Sequence, residues 1–293
     1  MMTQQEILEK LKIDLELLGR SKVTVQGYQL RVKAYQNYFD KPADQMGENE
    51  VRMFLHHHMT KLNNLASTAT SYISALRFLY DVTLDKPLDR RKVARPRVTR
   101  RIPELPTKEE LDVIFTNTYD MKFRTIFMTA YGSGLRVSEV ANLRVKDIDS
   151  KNMRILVRQG KGNKDRYALL PQRTLILLRE YYKIYRPKDW LFTNKKGRRI
   201  AATSIQIAFR TVVRNSGIPK HITIHTLRHR FATDLLNEGK NIYQIKRLMG
   251  HVRLDTTAWY LQLSDSEVLR LTSPLDTMDS KLFGGSVLPV NND

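Results

Sequence analysis

The 293-residue chain contains no cysteine. That excludes disulfides, thiol catalysis and cysteine-ligated zinc. It also lacks any apolar run near the roughly 20 residues needed to span a bilayer. The start, Met1-Met2-Thr3-Gln4-Gln5-Glu6, has neither the basic opening nor the apolar stretch of a signal peptide, so a cytoplasmic protein with no membrane partner is expected. Acidic residues are scarce beside basic ones, 30 against 50, which leaves a formal net charge of +20. An excess of that size calls for a polyanion, and in the absence of membrane features nucleic acid fits better than a lipid surface. Hydrophobic residues make up 41% of the chain, enough to bury a core and to exclude a disordered chain.

What is present begins with helical periodicity. Ile7, Leu8, Leu11, Leu15 and Leu18 recur at helical spacing, followed by Tyr28, Val32, Tyr35 and Phe39. Two more helices are predicted near 48–62 and 67–82, so residues 1–84 read as a four-helix domain. Residues 85–101 then carry eight basic and two acidic side chains, a local charge of 8 − 2 = +6, together with Pro87 and Pro96. Proline and like charge both disfavour packing, so 85–102 reads as a linker. A merely solvated connection is the commoner use of such a stretch. The charge density here points instead to phosphate contact through Arg90, Arg91, Lys92, Arg95, Arg97, Arg100 and Arg101.

A second domain, 103–293, opens with a capping box from Thr107 to Glu110 and the buried face Leu111, Ile114, Phe115. Short strands at Ile155-Leu156-Val157 and Tyr167-Ala168-Leu169-Leu170 flank the turn Gly160-Lys161-Gly162-Asn163-Lys164, a hairpin signal. Helices are predicted near 121–131, 173–186, 203–215, 226–238, 241–248 and 255–262. The fold class is therefore mainly α with a small β-hairpin.

Four segments place a cation or imidazole beside a turn. Gly132-Ser133-Gly134-Leu135-Arg136 allows a sharp turn followed by an arginine at a helix start, where free amides attract anions, although a surface arginine gives the same pattern. Lys161, between two glycines, sits on a tip that can reach into a groove, or can simply be solvated, and Lys164 and Arg166 nearby can take phosphates. His225 and Arg228 are three apart, on one helix face, and can hold one phosphate between them. Leu227, Phe231 and Leu235 anchor the other face. His221, His225 and His229 also have four-residue spacing. Ile222-Thr223-Ile224 looks extended, however, and no glutamate completes a zinc motif, so no metal is expected and His229 reads as a packed supporting residue. Gly250 stops one helix and Asp255 or Thr256 can cap the next, a break that lets His251 and Tyr260 converge where one continuous helix would hold them on opposite faces. Core or interface packing is the ordinary use of a tyrosine beside a tryptophan. His56-His57-His58 diverge on a helix and read as partly solvated.

Together, in this order, these segments resemble the tyrosine recombinase (phage integrase) family, in its compact two-domain branch with the Xer chromosome-resolving enzymes and integron integrases. The resemblance covers nearly the whole chain and is strongest over 129–147, 160–166 and 225–260. It implies a SAM-like core-binding domain at the N-terminus that closes with the catalytic domain around DNA. By position, Arg136 and Arg228 match the phosphate clamp, Lys161 the general acid, and Tyr260 the nucleophile. His225 and His251 match the two remaining active-site positions, one assisting proton transfer and the other binding phosphate. The implied chemistry is cleavage and rejoining through a 3′-phosphotyrosine and a Holliday junction, with no cofactor. Two arginines can neutralise the equatorial oxygens without a metal. The implied partners are double-stranded DNA, further copies of the chain forming a tetramer on paired sites, and a second recombinase or accessory protein, with the work done at the nucleoid. The apolar side of residues 264–275 can fold back on its own domain, and the family suggests instead that the segment docks on a neighbouring subunit. Two other readings stand beside this one: a type IB topoisomerase, and a basic DNA-binding protein without catalysis.

Overall fold

Thr3 accepts a hydrogen bond from the Glu6 amide at 3.2 Å while its own amide donates to Glu6 Oε2 at 2.6 Å. That reciprocal cap starts α1 (Gln4–Leu17), whose Ile7, Leu8, Leu11 and Leu15 are buried. Ser21 caps α2 (Lys22–Phe39), and α3 (Glu48–Thr60) and α4 (Ala66–Phe78) follow, α4 continuing into one π-helical turn, Leu79–Thr83. This computed structural model describes residues 2–61, 66–96, 104–158 and 165–250, and the chain divides into two compact units, Met1–Arg101 and Ile102–Asp293.

In the first unit the four helices close over Leu11, Val32, Phe54, Leu76 and Leu79. Tyr80 Oη donates to the Ala43 carbonyl at 3.0 Å and lies 3.0 Å from Tyr35 Oη, so two buried phenols satisfy each other. Burial first, and then the neighbouring phenol, push the Tyr35 hydroxyl far above its ordinary range, which leaves it neutral. The His57 ring packs at a tilt against Tyr38, and that of His58 against Phe54 and Tyr72, while His56 is exposed, as a partly solvated trio requires.

The expected linker needs correction. Leu88 and Val93 are buried in the core of the first unit. Arg77 Nη2 donates to the Val93 carbonyl at 2.6 Å, and Lys92 Nζ lies 3.0 Å from Glu48. Two apolar side chains in a basic stretch are enough to draw residues 85–96 onto the helices, because the charged heads stay in water while the backbone packs.

In the second unit Thr107 and Glu110 form the expected box at α5 (Lys108–Thr116). Asp120 caps α6 (Met121–Gly132), which packs against α8 (Gln172–Tyr185), α9 (Ala202–Asn215) and α10 (Ile224–Asn237). Its Ile126, Phe127 and Ala130 are fully buried, and Phe127 meets Phe209 edge-on at 4.9 Å. Between α6 and the sheet lies the short α7 (Val137–Ala141). Strands β1 (Ile148–Asp149), β2 (Arg154–Val157) and β3 (Arg166–Leu169) form an antiparallel sheet in that order, with Val157 opposite Arg166 at the mouth of the hairpin. Two-residue β1 escaped the sequence reading because no alternation is visible over two positions. Helix α10 starts two residues earlier than expected because Thr223 supplies its cap. Last of the described helices is α11 (Ile242–Met249), stopped by Gly250 in the left-handed conformation at φ +63°. No described helix is long and apolar enough to cross a membrane. The hairpin turn, the expected helix at 255–262 and the segment 264–275 lie outside the described residues.

Candidate active site

The site is assembled by a carboxylate. Glu139, on α7, is buried, and three guanidinium groups converge on it. Arg136 begins α7 and donates to Glu139 twice, from its amide at 2.8 Å and from Nη1 at 2.7 Å. Arg166 Nη2, from the start of β3, donates to Oε2 at 3.0 Å, and Arg228 Nη1, from α10, lies 3.6 Å from the same oxygen. Burial alone would push the Glu139 carboxyl up. Arg166, the Arg136 amide and guanidinium, and Arg228 outweigh it and hold the carboxyl below its usual range.

The turn before α7 sets the approach. Gly134 has φ +61°, and a Cβ there would stand 2.3 Å from the Phe231 ring, so only glycine lets the backbone lie on that ring. Its carbonyl accepts from Arg228 Nη1 at 2.5 Å, and Arg228 Nη2 donates to the Met249 carbonyl. Arg228 is 1% exposed, among the most buried side chains of the described residues, and its guanidinium ties the α6–α7 turn to the end of α11. Three cations against one carboxylate leave an uncompensated positive charge, and the Arg136 side chain, 19% exposed, is the member that reaches the surface most. Such a charge suits a phosphate.

His225 is exposed beside this cluster. It lines, with Val137, Arg210, Lys220 and His221, a cavity of about 610 Å³. Partial burial, then Arg228 and Arg136, lower its pKa against the opposing pull of Glu139, so near neutral pH its imidazole is uncharged. His229 meets His225 edge-on at 5.2 Å. Burial, then His225 and Arg228, bring its pKa down to about 4, in keeping with a packed supporting residue. Because α10 begins at Ile224, His221 lies outside the helix and the four-residue spacing of the three histidines does not carry across to it. No cluster of three metal-binding side chains occurs among the described residues.

Of the expected site residues, Arg136, His225 and Arg228 come together. Lys161, Lys164, His251, Tyr260, Arg97, Arg100 and Arg101 lie outside the described residues. Arg90, Arg91 and Arg95 are exposed on the first unit, and Lys92 is paired with Glu48 yet open to solvent. Arg166 is a correction. Expected to take a phosphate, its side chain is only 12% exposed, with Nη2 donating to Glu139, Nε to the Leu248 carbonyl, and Nη1 buried without a hydrogen-bond partner among the described residues. Glu139 was missed. Its signal was its place three residues after Arg136, where a capping carboxylate belongs.

A sequence model described as the phage integrase family matches residues 105–267, and one described as the phage integrase N-terminal SAM-like domain matches residues 7–90. A tyrosine recombinase of Thermosipho africanus is 30% identical over 260 residues, covering 84% of this chain and 91% of that protein. Among solved structures, XerA recombinase aligns at 25% identity and a TM-score of 0.53, covering 91% of this chain and 96% of that one. A lambda integrase (75–356) dimer bound to a COC′ core site aligns at 17% identity and a TM-score of 0.72 over 93% of this chain and 99% of that one, a likeness of fold.

Proposed function

The chain belongs to the phage integrase family of tyrosine recombinases, and we propose that it cleaves and rejoins double-stranded DNA at Tyr260. It is a site-specific recombinase; the residue roles are our reading. Arg136 and Arg228 hold the non-bridging oxygens of the scissile phosphate, and His225 donates a hydrogen bond to it. Tyr260 passes its phenolic proton to His251 as its oxygen bonds to phosphorus. The bond from phosphorus to the 5′-oxygen breaks, and Lys161 supplies that oxygen with a proton. The 3′-phosphotyrosine keeps the bond energy, so attack by a new 5′-hydroxyl reseals the strand without ATP. His251 takes the last active-site position. Two such exchanges through a Holliday junction, on a tetramer spanning paired sites, complete recombination. Outward-facing Arg90, Arg91 and Arg95 contact the duplex backbone, the work is done on cytoplasmic DNA, and a second recombinase or accessory protein can join the assembly.

The observation that carries the reading is the Glu139 cluster. Arg136 and Arg228, far apart in sequence, share one buried carboxylate and leave net positive charge beside an uncharged His225. Phosphoryl transfer asks for positioned charge of this kind. Relaxation chemistry alone would use the same cluster; the family match over both units favours recombination.

The test is covalent capture. The protein is incubated with a pool of nicked duplexes whose central base pairs are randomised, and adducts surviving denaturation are sequenced. We expect one enriched sequence and a phosphopeptide containing Tyr260, both lost in Tyr260→Phe. Binding with no adduct would mean a catalytically silent protein, and adducts without sequence preference would favour the topoisomerase.

A further inference from the structure

Three segments meet at Arg166. Its backbone begins β3, opposite Val157, so it stands at the base of the hairpin that carries Lys161. Its Nη2 donates to Glu139 Oε2 at 3.0 Å, the oxygen that also faces Arg228. Its Nε donates to the Leu248 carbonyl at 3.1 Å, in the last turn of α11. Beneath it lies Gly250, where an added Cβ would stand 2.6 Å from Arg166 Cδ and 2.7 Å from Nε. Gly250 leaves no room for a side chain beneath the guanidinium, and the next residue is His251.

We infer that Arg166 is a positioning residue which locks the lysine-bearing hairpin, the carboxylate under both clamp arginines and the exit of α11 into one geometry. The inference rests on the recombinase reading above. Arg166 Nε and Nη2 are given to internal acceptors and Nη1 is buried without a hydrogen-bond partner among the described residues, which supports a positioning use of this cation over a phosphate contact. Only a planar fork serves both acceptors, since a lysine at this position has a single ammonium and can satisfy Glu139 or Leu248 but not both. Burial pulls the guanidinium pKa down, and the Glu139 charge beside it opposes that pull. The group therefore acts through Glu139 on Arg136 and Arg228, and through Leu248 on the turn that delivers His251, without itself touching DNA.

The experiment uses nicked duplexes bearing the sequence selected by covalent capture. For Arg166→Gln and Arg166→Lys, the dissociation constant, the single-turnover rate of adduct formation and the melting curve are measured. We expect affinity to stay within about threefold while the cleavage rate falls roughly 100-fold for glutamine and about tenfold for lysine, the size of loss that small misplacements cause. Combined with Glu139→Gln, Arg166→Gln should cleave no more slowly than the slower single variant, because both act through one carboxylate. A near-normal rate in either variant would overturn the inference. So would an affinity loss equal to the rate loss, which marks a phosphate contact, or multiplicative effects in the double variant. Unfolding of both variants would overturn it too, since it would make Arg166 a stability residue. Failure of the unaltered protein to form any adduct would instead bring down the recombinase reading itself.

Discussion

Arg136 and Glu139 hold each other through two separate hydrogen bonds, main-chain amide to Oε2 at 2.8 Å and guanidinium to Oε1 at 2.7 Å. The carboxylate is at once the cap of α7 and the counter-ion of the arginine that begins it. A capping residue is usually exposed and worth about 1 kcal/mol, whereas this one is buried and faces two further arginines.

Glu139→Ala should therefore cost far more than a lost cap. Three guanidinium groups would be left without their anion, and stranding a buried charge costs roughly 3–5 kcal/mol. For a unit of this size the melting temperature should fall by roughly 10 °C. Added sulfate should restore more of that loss in the variant than it adds to the unaltered protein, because a doubly charged anion can take the vacated place. A melting temperature unchanged by the substitution would mean that the arginines find other partners.

Gly134→Ala tests the floor of the site. The positive φ costs about 1 kcal/mol for a residue with a Cβ, and the methyl group would run into the Phe231 ring, adding about 1–3 kcal/mol. Pairing it with Phe231→Leu should recover part of the steric loss but not the backbone cost. Full recovery, read by chemical denaturation, would show that φ contributes nothing.

Low pH should weaken the fold through His229. Its folded pKa of about 4 lies below the unfolded value near 6.5, so the histidine favours folding only while neutral. The contribution is complete above about pH 6.5 and is lost as pH falls toward 4, amounting to about 1–3 kcal/mol. His225, lowered for the same first reason, acts in the same direction. His229→Gln should flatten the fall in melting temperature between pH 7 and 4.5 relative to the unaltered protein. Parallel curves would show that another group carries the acid sensitivity.

Helices legible in the sequence were those whose buried faces repeat at helical spacing, such as Ile7, Leu11 and Leu15 of α1, or whose caps are spelled out, as at Thr107 and Glu110. The glycines marked the turns correctly for the same reason, since at Gly134 and Gly250 no other residue fits. Long-range partnerships were not legible. Nothing in the neighbourhood of Arg166 tells that its guanidinium will turn inward to a carboxylate 27 positions earlier. Charge counts also misled at Leu88 and Val93, where two apolar side chains decided that a basic stretch would pack. Identifying Arg136, His225 and Arg228 as one group depended on their order along the chain, because each pattern alone is ordinary on a protein surface.

Lys161 is where leaving-group chemistry separates from the clamp. The strands on either side of it are closed by the pairing of Val157 with Arg166, and Arg166 is itself fixed to Glu139, so the base of the hairpin is tied to the arginine cluster. A general acid contributes typically 10²- to 10⁴-fold, and Lys161→Ala should slow adduct formation on ordinary nicked DNA by roughly that factor. DNA in which sulfur replaces the bridging 5′-oxygen has a leaving group that departs without a proton, so on that substrate the variant should approach the unaltered rate. Arg136→Ala should gain nothing from the sulfur, since the charge it neutralises sits on the non-bridging oxygens. Single-turnover rates for both proteins on both substrates give the comparison. If Lys161→Ala stays equally slow on oxygen and sulfur, the proton comes from elsewhere, with Lys164 the next candidate, and Lys161 serves only to hold the phosphate.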